Sequence, residues 1–554
     1  MVKIVARPFG TPCPLQFLTP ALHFSRTPLI LNMKNVSVSP AGRSYSLPTE
    51  EDNKKEEQKL RELVSLQRKK GREVVAVQGL GFVGAVMGAV IADSQDERGN
   101  PYYYVLGVQR PSERSFWKVH SIDEGKSPVK GNDPGIPKIF HRTVKEKETF
   151  YATWLPFAFS LSDIVVIDIQ LDAKRKGLGK GEESSCDLRF FKDGIEEIGR
   201  EIRPETLVLI ETTVPPGTTL NVVKPILERE FQKRGIDLKK HPVRLAHSYE
   251  RVMPGKNYLS SIRDFWRSYA GVDEKSSQLT EKFLKRVIDT KKFPLSRLSN
   301  PTASELAKTL ENSFRATNIA LLYEWALFSE DIGVNLFEIL ESIRVRPTHK
   351  NILEPGLGVG GYCLTKDPLL ANWSSKTIFD RKEGVPFAVR AVDINDLMPF
   401  HTLDLIKEAL SGNIKGRKIH ILGASYRQSV GDTRHSPSET LWKAIENEGG
   451  IPSVHDPLVE TWPEVPQVKV EKDLFASLKD KDVIIFAVKH REYYHLNPEE
   501  VVKNSGKIPA IVDTRNILND VEIKKYLSLG CKVKGLGKGH IKMLTSSRIY
   551  DKTN

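Results

Sequence analysis

The chain has 554 residues, a length that predicts about three to four domains. Its hydrophobic share of 39% and charged share of 28% exclude a disordered, collagen-like or disulfide-scaffold protein. The net charge of +13 comes partly from residues 1–49, which hold five basic residues and no acidic one. No basic stripe with interleaved aromatics is present, and no apolar run is long enough to span a membrane, so neither nucleic acid nor a membrane is expected as a partner. The 4 scattered cysteines indicate a reducing, cytoplasmic location.

Residues 1–65 are interpreted as an N-terminal extension that is first disordered and then helical. The first 48 residues lack periodicity and are expected to be dispensable. Three interpretations compete: a basic presequence, a disordered arm, or upstream sequence that is translated although the true start codon is that of Met33. The charged run from Thr49 to Gly71 has apolar residues at helical spacing and predicts a lead-in helix.

Residues 66–290 read as a first α/β domain. Short apolar segments alternate with helix-like segments, which predicts a parallel sheet with helices on both faces. The predicted strands are Glu73–Gln78, Tyr103–Val108, Ile164–Asp168, Thr206–Ile210 and Val243–Ala246.

A glycine-rich turn follows the first of these strands and opens a helix. Gly79, Gly81 and Gly84 have the spacing of a dinucleotide-binding fingerprint, with Phe82 and Val83 between them. Glycines permit a tight turn and close approach of a pyrophosphate to the helix N-terminus. These five residues are therefore predicted to bind a dinucleotide cofactor.

The end of the second strand departs from the usual NAD pattern. Gln109 stands where an acidic residue would hold the ribose hydroxyls, and Arg110 and Arg114 follow. A neutral side chain does not repel a 2′-phosphate, and arginine suits one. NAD is the expected cofactor, and the sequence also allows NADP; the alternative is that both arginines are solvated loop residues.

Residues 291–405 are predicted to form an all-helical domain around one long helix. Thr302 and Glu305 have capping-box spacing, and about thirty residues follow without a breaker before Gly333. Lys308 and Asn312 lie four apart and share a face of this helix. The alternative is an ordinary solvated helix face.

Two further segments carry candidate chemistry. Thr213 lies in ETTVPPG, just after a predicted strand, where parallel sheets bind ligands; the alternative is a simple turn. The second segment, Glu354–Asp367, is glycine-rich and delivers the thiol of Cys363 and the carboxylate of Asp367. A thiol beside a lysine and an aspartate is a candidate nucleophile. Residues 406–545 repeat the α/β pattern and predict a second Rossmann-like domain.

Six segments in this order resemble the UDP-glucose/GDP-mannose dehydrogenase family of nucleotide-sugar 6-dehydrogenases. They are GLGFVG, ETTVPPGTT, ELAKTLENSFRATNIA, PGLGVGGYCLTKDP, LGASYRQSVGDTRHSP and VHDP. Ser248–Gly255 is similar to the PERxxPG form of enzymes that act on 2-acetamido sugars, and LENSFRATNIA is most similar to the N-acetylmannosamine branch. The resemblance implies two Rossmann-like domains joined by a helical domain.

The resemblance also implies roles for individual residues. The family oxidises a sugar C6 alcohol to a carboxylate with two dinucleotides, through a thiohemiacetal and a thioester on a cysteine. Lys308, Asn312, Asp367 and Thr213 would assist Cys363, and Gln109 and Arg110 would help to bind the cofactor. The implied substrate-binding residues are Glu250, Arg251, Lys308, Asn312, Arg346, Gly358, Gly360, Gly361 and Arg434. The long helix would build a homodimer or higher homo-oligomer, with Arg344 or Arg346 reaching a neighbour's site, and no metal is implied.

Two other functions remain open on the sequence. A two-electron hydroxyacid-type dehydrogenase would not need Cys363, and a non-catalytic protein could simply bind sugar nucleotides. The residues leave open the sugar, the base of its nucleotide, and the size of the oligomer.

Overall fold

A computed structural model describes residues 35–129, 133–252 and 255–550. Strands and helices are numbered below in chain order. The described chain begins with an antiparallel hairpin of β1 (Val36–Val38) and β2 (Ser44–Ser46), followed by helix α1 (Glu50–Lys69). Thr49 caps α1 in a capping box with Asp52.

A large mixed sheet follows, in which all neighbouring strands are parallel except β10 and β11. The spatial order is β12-β11-β10-β9-β6-β3-β4-β5. Its strands are β3 (Glu73–Gln78), β4 (Tyr103–Val108), β5 (Phe150–Thr153), β6 (Ile164–Ile167), β9 (Leu207–Ile210), β10 (Arg244–His247), β11 (Ser268–Gly271) and β12 (Ser296–Arg297). A separate small hairpin joins β7 (Ala173–Lys174) and β8 (Ser185–Cys186).

Helices cover both faces of this sheet and form two apolar cores with it. They are α2 (Phe82–Asp93), α3 (Trp117–Asp123), α4 (Gly135–His141), α5 (Arg189–Glu201), α6 (Lys224–Lys233), α7 (Tyr258–Arg263) and α8 (Glu274–Val287). The five strands predicted from the sequence are all present, because each is a short apolar run between turns.

The central unit is helical. It contains α9 (Pro301–Ile332), α10 (Leu336–Arg344), α11 (Asp367–Thr377) and α12 (Pro386–Ala409). The side chain of Asn300, rather than that of Thr302, caps α9 by accepting from the Ala303 amide at 3.0 Å. Gly333 ends the helix in the left-handed conformation. The long helix is therefore present, but it starts two residues earlier than expected.

The last unit is a six-stranded parallel sheet in the order β15-β14-β13-β16-β17-β18. Its strands are β13 (Lys418–Leu422), β14 (Ile451–His455), β15 (Val470–Glu471), β16 (Val483–Phe486), β17 (Ala510–Asp513) and β18 (Val533–Gly535). Its helices are α13 (Pro437–Asn447), α14 (Leu474–Ser477), α15 (Pro498–Ser505), α16 (Asp520–Ser528) and α17 (Ile541–Tyr550). Two parallel-sheet units joined by a helical unit match the fold class predicted from the sequence.

Elements cross the expected domain limits in three places. The limit at residue 65 falls inside α1, and the limit at residue 405 falls inside α12. β12 pairs with β11 in the first sheet, so that sheet extends past residue 290. Among the residues that the structure describes, none of the helices has the length and apolar character needed to cross a bilayer.

The N-terminal extension is more ordered than its sequence predicts. Residues 1–34 lie outside the described residues, but the β1–β2 hairpin packs on α3. The ring of Tyr45 stacks on that of His120 with centroids 4.5 Å apart, and the Ser37 hydroxyl accepts from the Trp117 amide at 3.2 Å. These are isolated long-range contacts without periodicity, so pattern analysis did not find them.

We expect two N-terminal truncations to have unequal effects. A chain that begins at Thr49 loses the hairpin but keeps the cap of α1, so it should fold with about 1–3 kcal/mol less stability. A chain that begins at Glu73 also loses Leu60 and Val64, which are buried against the first sheet, and should be much less stable or aggregate. Thermal unfolding of the two chains beside the full chain provides the comparison. Equal midpoints for the full chain and the Thr49 chain would show that the hairpin contributes nothing.

Candidate active site

The turn between β3 and α2 has the form of an anion cradle. Gly79 has a φ of +97°, and a Cβ there would lie 2.6 Å from the carbonyl oxygen of Asp168, so only glycine fits without movement. Gly81 is the N-cap residue of α2, and the space where its Cβ would lie is open. The open space and the helix N-terminus fit a dinucleotide pyrophosphate. Phe82 and Val83, the first two residues of α2, are partly exposed beside it.

Gln109 faces this turn, whereas Arg110 does not. The Gln109 side-chain oxygen accepts a hydrogen bond from the Leu80 amide at 3.1 Å. The Arg110 guanidinium is paired with Glu197 on α5 at 3.2 Å. A 2′-phosphate would therefore have to compete with Glu197 for Arg110, while Gln109 stands at the edge of the cradle.

Lys308 lies on the buried face of α9 and is held by Glu250. Its ammonium donates to the Glu250 backbone oxygen at 2.7 Å and lies 3.5 Å from the Glu250 carboxylate. Burial favours the neutral amine, but nearby negative charges, above all that of Glu250 and also that of Asp367, outweigh it and raise the pKa of Lys308. The Lys308 side chain is therefore a buried cation at neutral pH.

Glu305, one turn before Lys308, fixes the loop that contains Thr213. Its carboxylate accepts from the amides of Gly217 and Thr219 at 2.5 and 2.7 Å, and from the Thr219 hydroxyl at 2.6 Å. Burial raises the pKa of Glu305 to about 7, although these hydrogen bonds oppose the shift. Thr213 lies buried in the same loop, just after β9. Glu305 thus connects two predicted segments instead of capping α9.

Asp367 joins α9 to the cysteine loop. It is fully buried as the first residue of α11, and each of its carboxylate oxygens has a donor. Asn312 donates to Oδ2 at 2.5 Å, and the Lys366 ammonium lies 2.9 Å from Oδ1. The structure therefore brings Asn312 and Asp367 together as the sequence predicts, and adds Lys366.

The Cys363 side chain is exposed at the end of this loop, but protein atoms crowd it. Partial removal from water and the charge of Asp367 raise the pKa of its thiol to about 11, while Lys308 pulls in the opposite direction. Glu250 raises this pKa further and Lys366 lowers it. The resting thiol is therefore protonated at neutral pH and is surrounded by two carboxylates and two ammonium groups.

The glycines of this loop pack against the last unit of the chain. A Cβ on Gly358 would lie 2.8 Å from Pro437, and one on Gly360 would lie 2.6 Å from both the His435 carbonyl oxygen and Tyr426. The Gly361 position is similarly close to the Tyr426 ring. The family resemblance implies that these glycines bind the substrate. In the structure they allow two protein units to approach closely.

Arg434 lies where the three units meet. Its guanidinium lies over the Phe82 ring at 4.4 Å from the centroid and is paired with Asp432 at 2.6 Å. Its backbone oxygen accepts from the Gly361 amide at 3.2 Å. The cofactor turn, the cysteine loop and the last unit therefore share this residue.

Two of the predicted substrate-binding residues, Arg251 and Arg346, have different surroundings in the structure. Arg251 is engaged by Glu311 at 3.0 Å and by the Tyr249 hydroxyl at 2.7 Å, so a substrate would have to replace these partners. Arg346 follows α10 and is exposed. Its neighbour Arg344 is paired with Glu354 at 3.1 Å within the same chain.

Several residues near the site were not predicted from the sequence. Lys366 lies in the segment Glu354–Asp367, and its position next to Asp367 could have indicated that it pairs with this carboxylate. Arg515, which follows β17, approaches Gly356 so closely that a Cβ there would overlap its guanidinium. No local pattern pairs residues 356 and 515. Within the described ranges, no group of three or more His, Cys, Asp or Glu side chains is arranged to hold a metal ion.

The charges around Cys363 predict opposite effects of two substitutions on its reactivity. Asp367→Asn removes a negative charge, lowers the pKa of the thiol and should speed its alkylation by iodoacetamide at about pH 8 by about 3- to 10-fold. Lys308→Met removes a positive charge and should slow it. In the unsubstituted chain the rate should keep rising with pH up to about 11.

The Cys363→Ser variant provides the background from Cys186 and Cys531, which are also free thiols. Mass spectrometry of the labelled peptide measures the rates. If both charge variants change the rate in the same direction, the electrostatic account of the thiol is wrong.

Comparison with known proteins assigns all three units. The chain matches the UDP-glucose/GDP-mannose dehydrogenase family in its NAD binding domain over residues 73–287, its central domain over 302–396 and its UDP binding domain over 420–520.

Curated relatives and a solved structure agree. The UDP-N-acetyl-D-mannosamine dehydrogenase of Pyrococcus horikoshii is 32% identical over 478 residues, covering 84% of this chain and 100% of the relative. The enzyme of the same name from Methanococcus vannielii is 29% identical over 471 residues, covering 84% and 97%. The NDP-N-acetyl-D-galactosaminuronic acid dehydrogenase of Methanosarcina mazei Go1 superposes with a TM-score of 0.71 at 30% identity, covering 87% of this chain and 98% of that one. The chain therefore belongs to the UDP-glucose/GDP-mannose dehydrogenase family and is an NAD-dependent oxidoreductase.

Proposed function

We propose that this protein oxidises the C6 alcohol of a UDP-2-acetamido-hexose to the uronic acid, with Cys363 carrying the carbon between the two oxidations. The observation that carries the proposal is the setting of the thiol: it ends a loop anchored to α9 by Asp367 and is flanked by the buried Lys308 ammonium. A two-electron dehydrogenase would have no use for a nucleophile at this position.

The cofactor would lie on the turn from Gly79 to Gly84, with Gln109 at its ribose edge. When bound, NAD supplies the hydride acceptor for each of the two oxidations. The fit rests on the open space beside Gly81 and the free amides at the start of α2. Thr213 lies buried after β9, two strands away from β3, on the same edge of the sheet.

The chemistry of Cys363 accounts for the second oxidation. Its thiol adds to the aldehyde carbon: a C–S bond forms, the C=O π bond breaks, and the thiol proton ends on the new hydroxyl, giving a thiohemiacetal. Loss of a hydride and of the hydroxyl proton leaves a thioester. Water then adds, the C–S bond breaks and the thiol is regenerated. A thiol suits both steps because it is a strong nucleophile and a good leaving group.

The charge and position of the neighbouring side chains suggest a role for each in these steps. The Lys308 ammonium stabilises the oxyanion that develops when sulfur or water attacks the carbonyl, and Asn312 offers an amide donor beside it. Asp367 orients the hydrolytic water and receives its proton, since the carboxylate is fixed by Asn312 and Lys366. Glu250 holds Lys308 in place and faces the same cleft.

The choice of a 2-acetamido sugar rests on similarity. The segment around Glu250 and Arg251 is similar to the PERxxPG form, and the relatives named above act on N-acetylated sugars by their names. Binding would break the contacts that Arg251 makes with Glu311 and Tyr249, which frees a guanidinium for the substrate. Arg434 and the backbone of Gly358–Gly361 lie at the junction where the nucleotide and sugar would meet.

A panel of four nucleotide sugars tests the proposed function. UDP-N-acetylmannosamine, UDP-N-acetylglucosamine, UDP-glucose and GDP-mannose are each supplied with NAD and with NADP. We expect a UDP-2-acetamido sugar to give the highest kcat/KM and two reduced cofactors per sugar. One reduced cofactor per sugar would support a two-electron dehydrogenase, and no turnover with any sugar would support a binding protein.

Cys363→Ser isolates the role of sulfur in the same assay. We expect uronate formation to fall at least about 100-fold while the Kd for the nucleotide sugar changes by less than about threefold. Cys186→Ser is the matched control, because the proposed mechanism gives its thiol no role, and it should leave turnover unchanged. Near-normal uronate production by Cys363→Ser would refute the thioester route.

We further propose that two copies of the chain associate through α9. The helix presents a row of apolar side chains to solvent, with Leu310, Phe314 and Trp325 each more than half exposed. The row is Leu306, Leu310, Phe314, Leu321, Trp325, Phe328 and Ile332. Leu322 on the same helix faces α10 and α12 instead of solvent. A long apolar stripe on a helix that already carries Lys308 fits a second copy of the same helix.

The charge substitution Leu310→Asp should convert the dimer to monomer at micromolar concentration, because it places a carboxylate in the middle of the stripe. Val521→Asp on α16 is the control, since Val521 is even more exposed but lies away from α9. Sedimentation velocity measures both. A monomeric unsubstituted chain, or a dimeric Leu310→Asp variant, would contradict the proposed interface.

A further inference from the structure

Asp168 lies directly under the cofactor turn, at the carboxyl end of β6. A Cβ on Gly84 would lie 3.1 Å from its Oδ2, and its backbone oxygen packs against Gly79. Both carboxyl oxygens are buried, and in the part of the chain that the structure describes no N–H or O–H donor contacts them. Their neighbour is the Glu211 carboxyl group, which can be a hydrogen-bond partner only when one of the two acids carries a proton. The mechanism above gives this carboxyl group no role.

The groups around Asp168 form a buried charged cluster. Glu211, at the end of the adjacent β9, accepts from the Arg267 guanidinium at 2.5 Å, and both side chains are fully buried. Glu250, beyond β10, is tied to Lys308 at 3.5 Å. The Tyr258 hydroxyl, from α7, donates to the backbone oxygen of Phe82 in the turn itself. These elements enclose Asp168 from three sides.

Charge counting requires one extra proton in this cluster. Asp168, Glu211 and Glu250 would carry three negative charges if all were ionised, against two positive charges on Arg267 and Lys308. Arg267 is paired with Glu211 and Lys308 with Glu250, so neither cation forms an ion pair with Asp168. Burial first, and then the charges of Glu211 and Glu250, raise the pKa of Asp168 far above its ordinary value.

We propose that Asp168 is a positioning residue for the cofactor: it remains a neutral carboxylic acid, so that the turn above it presents no buried negative charge to the pyrophosphate. The amides at the start of α2 then attract the anion without opposition. An ionised Asp168 would lie beneath the same amides and cancel part of their field. NAD binding is therefore coupled to a proton held on Asp168.

The coupling has a definite sign. Because the binding-competent form is protonated, the affinity for NAD stays high below the pKa of Asp168 and falls as the pH rises through it. Asp168→Asn has the same shape and is neutral at every pH, so its affinity should not show this fall. The ratio of the two dissociation constants therefore cancels the effect of groups that titrate elsewhere in the protein and leaves that of Asp168 with its neighbour Glu211.

Isothermal titration of the full chain with NAD, without sugar, supplies the first measurement. Between about pH 6 and about pH 9.5 we expect the Kd of the unsubstituted chain to rise at least about fivefold relative to that of Asp168→Asn, with the two nearly equal at about pH 6. Asp193→Asn, an exposed position on α5, should follow the unsubstituted chain. A constant ratio across this range would overturn the proposal.

Infrared difference spectroscopy of the free protein supplies a second measurement that needs no turnover. At about pH 7 the spectrum of the unsubstituted chain minus that of Asp168→Asn should show the carbonyl stretch of a protonated carboxylic acid, sensitive to deuterium exchange and lost on raising the pH. The subtraction cancels the bands of Glu305 and Asp123, whose pKa values are also raised to about 7. Asp193→Asn in place of the unsubstituted chain should give the same difference band.

Glu211→Gln should also lose this band, because removing one acid lets the remaining charges balance without a bound proton. This variant keeps the test valid if Asp168→Asn does not fold. The absence of this difference band would refute the proposal, whatever the fate of the proposed thioester chemistry on Cys363.

Discussion

The hydrogen bond from Asn312 to Asp367 joins the two parts of the proposed active site that are far apart in sequence. Asn312 is on α9 beside Lys308, whereas Asp367 begins α11 directly after the cysteine loop. A buried carboxylate without donors costs several kcal/mol, so the Asp367 side chain is stable here only while Asn312 and Lys366 both donate to it. The position of the Cys363 thiol relative to the Lys308 ammonium follows from this constraint.

Charge balance among buried groups is the common principle of the site. Around Cys363, the two carboxylates Asp367 and Glu250 face two ammonium groups, Lys308 and Lys366, which keeps the pocket neutral while the thiol is protonated. The carboxylate product of the proposed reaction would bring a net negative charge into this pocket, which has no additional cation to balance it. Release of the product is therefore favoured by the same balance that accommodates the uncharged alcohol and aldehyde.

Local patterns predict much of the fold and only part of the site. The strands, the long helix and the turn at Gly79 are encoded by contiguous residues, so their periodicity and glycine spacing identify them. The contacts of Glu305 with Gly217 and of Arg515 with Gly356 join residues more than eighty positions apart, and no single-sequence pattern carries such a pairing. The order of the β1–β2 hairpin depends on Tyr45 and Ser37 meeting α3, which is likewise a tertiary effect.

The contacts of Arg434 connect the last unit of the chain to the cofactor turn and to the cysteine loop. Its guanidinium lies on Phe82 of the cofactor turn, and its backbone oxygen accepts from Gly361, two residues before Cys363. A cation–π contact and a hydrogen bond contribute only about 1 kcal/mol each, so these two contacts of Arg434 can break and re-form readily. The proposed four-electron oxidation needs the cofactor to be exchanged once while the sugar remains. In that mechanism a covalent bond to Cys363 retains the sugar during the exchange, which weak contacts such as those of Arg434 could not do.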